Sequence, residues 1–191
     1  MGCHFETGYT LASGERDWRH ARMLLPGVSG TVAASTTAAG YYDDAPDGQE
    51  TYTRWKPSAV PATWDITPAG SVSCNAAFIG AHDLGTQGAT VTVQYQATDG
   101  GAWTDIMSVT PGDDAPLFLF FTAKDGFGWR VSLTGAVAEI GRIIFGTTIV
   151  MPQPIYGGVK PIDLTREVER KASVSQGGEI LGLSVRNVML G

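Results

Sequence analysis

The chain has 191 residues, a formal net charge of −6 and charged side chains at only 17% of its positions, below the roughly 25% of typical soluble domains. Its Lys and Arg residues are largely scattered, whereas phosphate neutralisation needs clustered cations, so nucleic acid is excluded as a partner. No apolar run approaches the roughly 20 residues of a membrane-spanning helix, so membrane insertion is not expected.

Residues 1–30 predict an N-terminal arm. Residues 15–25 could form a short helix, but glycines and Pro26 crowd that stretch, so an extended segment over residues 22–25 (R-M-L-L) is favoured. Cys3 and Cys74 could form one disulfide. Free thiols are favoured over that bond, which would join a loose terminus to the start of a strand.

Residues 31–150 predict one all-β domain, because short segments of alternating apolar residues are separated by Gly, Pro and Asp. The high Gly content, 25 residues, favours frequent turns and a β-sandwich over a helical fold. The predicted strands are Thr31–Ser35, Ala62–Ile66, Val72–Gly80, Val91–Gln96, Trp103–Ile106, Leu117–Thr122, Gly128–Leu133 and Ile140–Ile149.

The clearest local signal is a β-hairpin over residues 91–106. Apolar residues alternate with polar ones from Val91 to Tyr95, as in a half-buried strand. Residues 99–101 (D-G-G) tolerate the positive φ of a tight turn, and Trp103 begins the second strand. Tyr95 and Trp103 are predicted to pack in the core or at its rim.

No group of residues predicts catalysis, so the chain is predicted not to be an enzyme. His82-Asp83 is the one neighbouring His–Asp pair, no nucleophile elbow accompanies it, and a loop histidine with satisfied hydrogen bonds is the favoured interpretation. The histidines form no metal-ligand pattern, and no cofactor is expected. Two aspartate clusters could hold Ca²⁺, although turn chemistry explains them at least as well. These clusters are Asp43, Asp44 and Asp47, and Asp113 with Asp114.

After residue 150 the composition changes, and residues 151–191 predict an extended C-terminal docking arm. The segment M-P-Q-P-I-Y-G-G breaks any strand, and the residues after it alternate in part but include too few apolar side chains for a core of their own. The arm is expected to add strands to a neighbouring surface, in this chain or in another subunit. The predicted interface residues are Ile155, Tyr156, Ile180, Leu181, Val188 and Leu190.

The order of motifs in residues 31–147 resembles the discoidin family, also called the coagulation factor 5/8 C-terminal domain. D-G followed by T-Y-T-R-W, within residues 47–55, resembles the family's loop motif, and P-A-T-W-D-I at residues 61–66 resembles one of its strands. V-Q-Y, D-G and W-T within residues 93–104, and W-R-V at residues 129–131, resemble later strands. The resemblance implies a jelly-roll β-sandwich. The family's terminal disulfide and ligand-binding loops are not recognisable, so no binding residue is carried over.

A narrower resemblance, from Arg54 to Gly182, is to structural proteins of tailed bacteriophages. It rests on R-W-K-P-S-A-V-P-A-T-W, A-H-D-L-G-T-Q-G-A-T-V-T-V-Q-Y, M-P-Q-P-I-Y-G-G-V-K-P-I-D-L-T-R and S-Q-G-G-E-I-L-G, in that order. It implies a virion protein of the tail tip or baseplate, made in the host cytoplasm. Its implied partners are other tail proteins and copies of itself.

Two functions from different classes are consistent with these features. The favoured one is a structural virion protein that assembles through the C-terminal arm. The alternative is a carbohydrate-binding module for host-receptor attachment, in which loop aromatics stack on the sugar rings of a surface glycan. Those aromatics are Tyr41, Tyr42, Tyr52 and Trp55.

Overall fold

The computed structural model of the chain describes residues 2–10, 22–50 and 52–150, together with the backbone of residues 167–174 and 180–188. Two compact units divide the chain, Met1–Pro154 and Ile155–Gly191. The described part of the first unit is a β-sandwich, and that of the second is a β-hairpin.

Short strands and two helical turns make up the described part of the first unit. None of its helices is long and apolar enough to cross a membrane. The elements are β1 (Gly2–Phe5), β2 (Arg22–Pro26), β3 (Gly30–Ala34), a 3₁₀ turn (Ala45–Asp47), β4 (Ala62–Pro68), β5 (Val72–His82), α1 (Leu84–Gln87), β6 (Thr90–Gln96), β7 (Trp103–Val109), β8 (Leu117–Gly126), β9 (Gly128–Thr134) and β10 (Ile140–Val150).

The strands form two five-stranded sheets. Sheet A has the order β1-β8-β5-β10-β2, and sheet B has the order β3-β4-β9-β6-β7. The chain passes from one sheet to the other after β2, β4, β5, β7, β8 and β9, which is the crossing pattern of a jelly roll. The pairing of β1 with β8 is parallel, and the other pairings described in the sandwich are antiparallel.

The core lies between the sheets because each strand turns alternate residues inward. In β4, for example, buried residues alternate with more exposed ones along its length. The largest fully buried side chains include Trp64, Trp129 and Phe121. The ring of Trp129 lies 6.1 Å from that of Phe121 and 5.5 Å from that of Phe145, so aromatic packing joins the two sheets.

The predicted hairpin is present as β6 and β7. Gly100 in its turn has a φ of +66°, a conformation that glycine adopts without strain. Tyr95 stacks on Trp129 at 6.0 Å, and Trp103 lies over the guanidinium of Arg130 at 3.9 Å. Both aromatic residues therefore make packing contacts within the sandwich.

The predicted all-β jelly-roll sandwich is confirmed, and the prediction of a separate N-terminal arm over residues 1–30 is corrected. β1 and β2 are the two edge strands of sheet A, and β2 includes the segment predicted to be extended. Cys3 in β1 is exposed, Cys74 in β5 is buried, and both are free thiols. Burial raises the pKa of Cys74 to about 12.

The second unit contains β11 (Glu167–Val174) and β12 (Ile180–Val188), which pair antiparallel with a register shift between Ser173 and Val174. They form a two-stranded sheet by themselves, an arrangement that is marginally stable at best in water. Ile180, Leu181 and Val188 of the predicted interface lie in β12. The other three predicted interface residues, Ile155, Tyr156 and Leu190, lie outside the described residues.

The central position of Trp129 gives the first testable prediction. Trp129→Ala removes a fully buried indole and should lower the free energy of unfolding by about 3–5 kcal/mol, because it creates a cavity between the sheets. Urea denaturation followed by circular dichroism measures the loss. Tyr52→Ala is the matched control, since this ring is 78% exposed and its removal should change stability by less than about 0.5 kcal/mol. Equal losses in the two variants would contradict the proposed core.

Candidate functional site

Four connections gather at one end of the sandwich, called here the loop end. They are residues 35–61, 83–89, 110–116 and 135–139. Antiparallel pairing places the end of β5 beside the starts of β8 and β10, and the ends of β3 and β9 beside the start of β4. Since the connection from β5 to β6 joins the two sheets here, the loop end presents residues from both of them.

The long connection 35–61 is fastened to the sandwich by two tryptophans. The backbone N–H of Trp55 donates to the oxygen of Ile140 and the N–H of Ile140 donates to the oxygen of Trp55, both at 2.9 Å. The indole of Trp55 donates to the oxygen of Thr36 at 3.0 Å, and that of Trp64 donates to the oxygen of Asp43 at 2.7 Å. These bonds fix the loop at several points along its length.

The expectation that Trp55 offers a stacking surface to a sugar is wrong. Its side chain is fully buried and belongs to the hydrophobic core. The neighbouring prolines suggested an exposed loop, whereas the bridge to β10 turns the indole inward. Trp55 therefore supports the loop end from below and has no face for a ligand.

Glu139 is the centre of a polar cluster at the loop end. Its carboxylate accepts hydrogen bonds from the hydroxyl of Tyr41 at 2.7 Å, from Nζ of Lys56 at 3.1 Å and from Nη1 of Arg54 at 3.4 Å. Its backbone N–H donates to Oδ1 of Asp83 at 2.6 Å. One carboxylate thus joins the long connection to the start of β10.

The electrostatics of the cluster follow from this shared carboxylate. The hydrogen bond from Tyr41, and then that from Lys56, lowers the pKa of Glu139, with partial desolvation acting in the opposite direction. The same bond to Glu139 is the largest cause of the raised pKa of Tyr41. The hydrogen bond from Lys56 to Glu139 is the largest cause of the raised pKa of Lys56. Glu139 and Lys56 are therefore charged, and Tyr41 is protonated, at neutral pH.

Tyr41 does not present a free ring to a ligand. Its hydroxyl is held by Glu139, and Nζ of Lys56 lies 5.3 Å from the centre of its ring. The residue is half-buried. Tyr41 therefore serves to hold the long connection against Glu139 within the polar cluster.

His82, the last residue of β5, is buried and makes hydrogen bonds through both ring nitrogens. Nε2 lies 3.0 Å from the oxygen of Ala115, and Nδ1 accepts from the N–H of Leu84 at 3.3 Å. The neutral ring therefore carries its proton on Nε2. Burial lowers the pKa of His82, although the bond to Ala115 and the nearby aspartates oppose the shift. The residue joins the connections 83–89 and 110–116 through these two bonds.

Two of the aspartates considered for Ca²⁺ accept hydrogen bonds from neighbouring loop residues. Asp114 accepts from both the backbone N–H and the hydroxyl of Thr86, and Asp113 accepts from the N–H of Ala115 at 3.0 Å. Among the residues with described side chains, no group of three or more His, Cys, Asp or Glu is placed to hold a metal ion.

An open cavity of 480 Å³ lies on the long connection, beside the polar cluster. Tyr42, 60% exposed, forms part of its wall. Tyr52, which is more exposed still, is hydrogen-bonded to the wall residue Glu50, and that bond is the largest cause of the raised pKa of Tyr52. The lining residues are Tyr42, Asp44, Ala45, Gly48, Gln49, Glu50 and Thr53. The cavity is thus an aromatic surface surrounded by hydrogen-bonding groups.

The structure separates the four aromatics predicted from the sequence into two pairs. Tyr42 is exposed in the cavity wall and Tyr52 is exposed outside it, whereas Tyr41 is held by Glu139 and Trp55 belongs to the core. Sequence reasoning missed Glu139 because the partners of its carboxylate lie between 83 and 98 positions away in the chain. A lone Glu at a strand start carries no local signal of such a role.

Solved structures with the same fold include carbohydrate-binding modules. Chitosan-binding module 1, derived from a chitosanase/glucanase of Paenibacillus sp. IK-5, matches with 20% identity and a TM-score of 0.53, over 62% of this chain and 95% of that one. A pectin-binding carbohydrate-binding module matches with 16% identity and a TM-score of 0.52, over 65% and 91%. Truncated AlyQ with CBM32 and alginate lyase domains matches with 15% identity and a TM-score of 0.54, over 69% and 34%.

No family model and no curated protein matches the sequence. The likeness to the solved structures is therefore one of fold, that of CBM32 and discoidin-like β-sandwich modules. Some of the matching chains also contain an enzyme domain, as in truncated AlyQ and a Ruminococcus gnavus GH29 fucosidase. Nothing in these comparisons concerns a bacteriophage, so the virion role implied by the sequence stays a prediction.

The Glu139 cluster predicts a specific dependence of stability on pH. Glu139→Gln should lower the free energy of unfolding by about 1 kcal/mol at pH 7, since charge-assisted hydrogen bonds are lost from a partly exposed site. Because the folded-state pKa of Glu139 is lowered, its contribution is complete above the usual Glu pKa of about 4.3 and is lost as the pH falls further. The difference in free energy of unfolding between wild type and variant should therefore shrink between pH 5 and pH 3. Denaturant unfolding at about five pH values measures it.

Asp125→Asn provides the matched control, because it neutralises an exposed carboxylate in β8 at the same change in net charge. Its unfolding curve should stay within about 0.5 kcal/mol of wild type at neutral pH. If the loss of unfolding free energy caused by Glu139→Gln stays constant across the pH range, the charge of the carboxylate is not what joins the loops.

Proposed function

We propose that this chain is a carbohydrate-binding module whose site is the open cavity beside Tyr42. The observation that carries the proposal is an exposed aromatic ring in the wall of a cavity lined by carboxylate, amide and hydroxyl side chains. Sugar rings offer an apolar C–H face and a rim of hydroxyls, and such a wall meets both. The fold shared with known carbohydrate-binding modules supports the proposal.

Rigidity of the loop end favours binding without large rearrangement. The tryptophan fastenings and the Glu139 cluster hold the long connection at Asp43, Trp55 and Lys56. A pre-organised site loses less conformational entropy when a ligand binds. The two ends of the loop segment that carries the cavity are thus fixed before a sugar binds.

The charges of the cavity favour neutral sugars and amino sugars over uronates. Asp44 and Glu50 line the cavity, Asp43 and Asp47 lie close to Asp44 in the sequence, and no Lys or Arg among the described residues lines it. A carboxylated sugar would meet repulsion there, whereas the ammonium group of glucosamine would be attracted. We therefore infer a ligand that is uncharged or cationic.

Replacement of Tyr42 tests the proposal directly. Tyr42→Ala should weaken binding of glucosamine oligosaccharides about tenfold or more, because the stacking surface is lost. Tyr42→Phe should bind nearly as well as wild type, since the ring remains. Isothermal titration calorimetry of the full chain, with neutral oligosaccharides and polygalacturonate alongside, measures the affinities.

Two further variants distinguish binding at this cavity from binding elsewhere on the protein. Glu50→Gln should weaken the binding of glucosamine oligomers more than that of neutral ones, and Met23→Ala, at an exposed residue outside the cavity, should change neither. Binding that survives Tyr42→Ala, or that prefers polygalacturonate, would refute this site.

We propose assembly through the unit Ile155–Gly191 as a second function, in the tail of a bacteriophage virion. Its support is the sequence resemblance to tail proteins, together with the presence of a separate compact unit. A two-stranded sheet is marginal alone in water, so the hairpin of β11 and β12 gains stability by packing on a further surface. Other tail proteins would supply that surface.

Truncation after Pro154 tests this second function. Purified particles should not contain the truncated protein. The truncated protein should keep the circular dichroism spectrum of the β-sandwich and its glycan affinity, because the cavity lies in the first unit. Quantitative gel analysis of purified particles measures incorporation. Incorporation equal to that of the full chain would refute assembly through this unit.

A further inference from the structure

His82 is the one buried residue of the described sandwich that can take up a positive charge near neutral pH, and it is 5% exposed. The hydrogen bonds of its ring require the neutral form. Nδ1 accepts from the N–H of Leu84 at 3.3 Å, and Nε2 donates to the oxygen of Ala115 at 3.0 Å. A second proton would enter at Nδ1 and point at the N–H of Leu84, so protonation of the ring breaks that bond.

The bond from Leu84 fixes the start of α1. Leu84 is fully buried in the core, and its oxygen accepts from the N–H of Ala89 at 2.9 Å. α1 is a single turn, and its N-cap residue Asp83 makes no side-chain capping bond, so the turn depends on contacts outside itself. Once Nδ1 is protonated, the buried N–H of Leu84 has lost its acceptor, which favours opening of α1.

The connection 83–89 has a second attachment to the connection 110–116, which does not involve the imidazole. Asp114 accepts from the backbone N–H and from the hydroxyl of Thr86. Gly85 lies so close to the backbone of Asp113 that a Cβ there would come within 2.3 Å of it. These contacts remain when the ring is charged, so the expected response is a local opening of the turn and not an unfolding of the sandwich.

Asp83 connects α1 to the Glu139 cluster. Its backbone N–H donates to the oxygen of Glu139 at 3.3 Å, and its Oδ1 accepts from the N–H of Glu139 at 2.6 Å. The carboxylate of Glu139 in turn holds Tyr41 and Lys56. Since Tyr41 directly precedes Tyr42 of the cavity wall, a contiguous path of bonded groups leads from the imidazole to the cavity.

The surroundings of the ring set the pH at which it is protonated. Burial lowers the pKa of His82 below its usual 6.5 and outweighs the other influences. The hydrogen bond of Nε2 and three nearby carboxylates, those of Asp114, Asp83 and Asp113, act in the opposite direction. On β10, the charged side chain of Arg142 donates to the 3₁₀ turn. The ring is therefore neutral at pH 7 and takes up its proton under mildly acidic conditions.

We propose that His82 is a pH switch of the loop end, in which protonation at Nδ1 opens α1, weakens the link between Asp83 and Glu139 and lowers the affinity of the cavity for sugar. The effect on affinity rests on the proposed function, whereas the opening of α1 does not. Because the closed loop end binds this proton less tightly than the open one, the closed form is complete above about pH 6.5 and declines as the pH falls below it. The apparent affinity falls in proportion to the closed fraction. The transition is separate from that of Glu139, whose pKa is lowered from the ordinary 4.5.

Nuclear magnetic resonance of the isotope-labelled full chain, between about pH 7.5 and about pH 5, tests the opening without a ligand. The amide signals of Leu84 and Glu139 should shift with the same midpoint as the ring of His82. Their protection from hydrogen exchange should fall at least about threefold, after correction for the intrinsic pH dependence of exchange. His82→Gln should abolish the transition, and His4→Gln, at a half-buried histidine in β1, should keep it. If His82→Gln does not fold, agreement of the wild-type midpoints decides the test. Amides that do not respond to titration of the ring, or that change only with the carboxylates below about pH 4.5, would overturn the switch.

Calorimetry measures the effect on the cavity, with N-acetylglucosamine oligosaccharides as the probe because they carry no titrating group. The affinity of wild type and of His4→Gln should be at least about threefold weaker at about pH 5 than at about pH 7.5, whereas that of His82→Gln should be equal at the two. Equal affinities in wild type would overturn the coupling between His82 and the cavity. Absence of binding at both pH values would refute the proposed function, and the amide transition of the free protein then decides on the switch by itself.

Discussion

The loop end depends on the two backbone hydrogen bonds between Trp55 and Ile140. Without them, residues 35–61 would be a connection far longer than compact domains usually tolerate without an anchor. The bridge turns Trp55 into the core, and the residues on either side of it, Arg54 and Lys56, turn outward toward Glu139. The Trp55–Ile140 pairing thus places the indole in the core and the charged side chains of Arg54 and Lys56 on the opposite side of the loop.

The strands of the sandwich could be predicted from the sequence because alternation is a local signal. The hairpin of β6 and β7 and the bounds of β4 and β9 follow from residues that are neighbours in the chain. β1 and β2 could not be placed in the same way, because a four- or five-residue edge strand is identified only by the strand that it joins. The Glu139 cluster was hidden for a similar reason, since its members meet only after folding.

Trp55 illustrates a different limit of sequence reasoning. Prolines close to it in the chain signalled a loop correctly, and a loop is usually exposed. Its indole is nevertheless fully buried, because a single bridge to β10 draws this part of the loop against the core. Local composition predicts a loop backbone here. The burial of Trp55 is instead decided by its bridge to Ile140 and by the neighbouring contact of Arg54 with Glu139, which is 85 positions further along the chain.

The division between braced and unbraced residues at the loop end bears on how such a module could evolve. Gln49 and Glu50 line the cavity and are exposed, while the fastening is carried by Trp55, Trp64 and Glu139. Exposed residues of this kind can usually be exchanged within about 0.5 kcal/mol of stability. On the proposed function, changes in the cavity wall would therefore alter ligand preference and leave the scaffold intact.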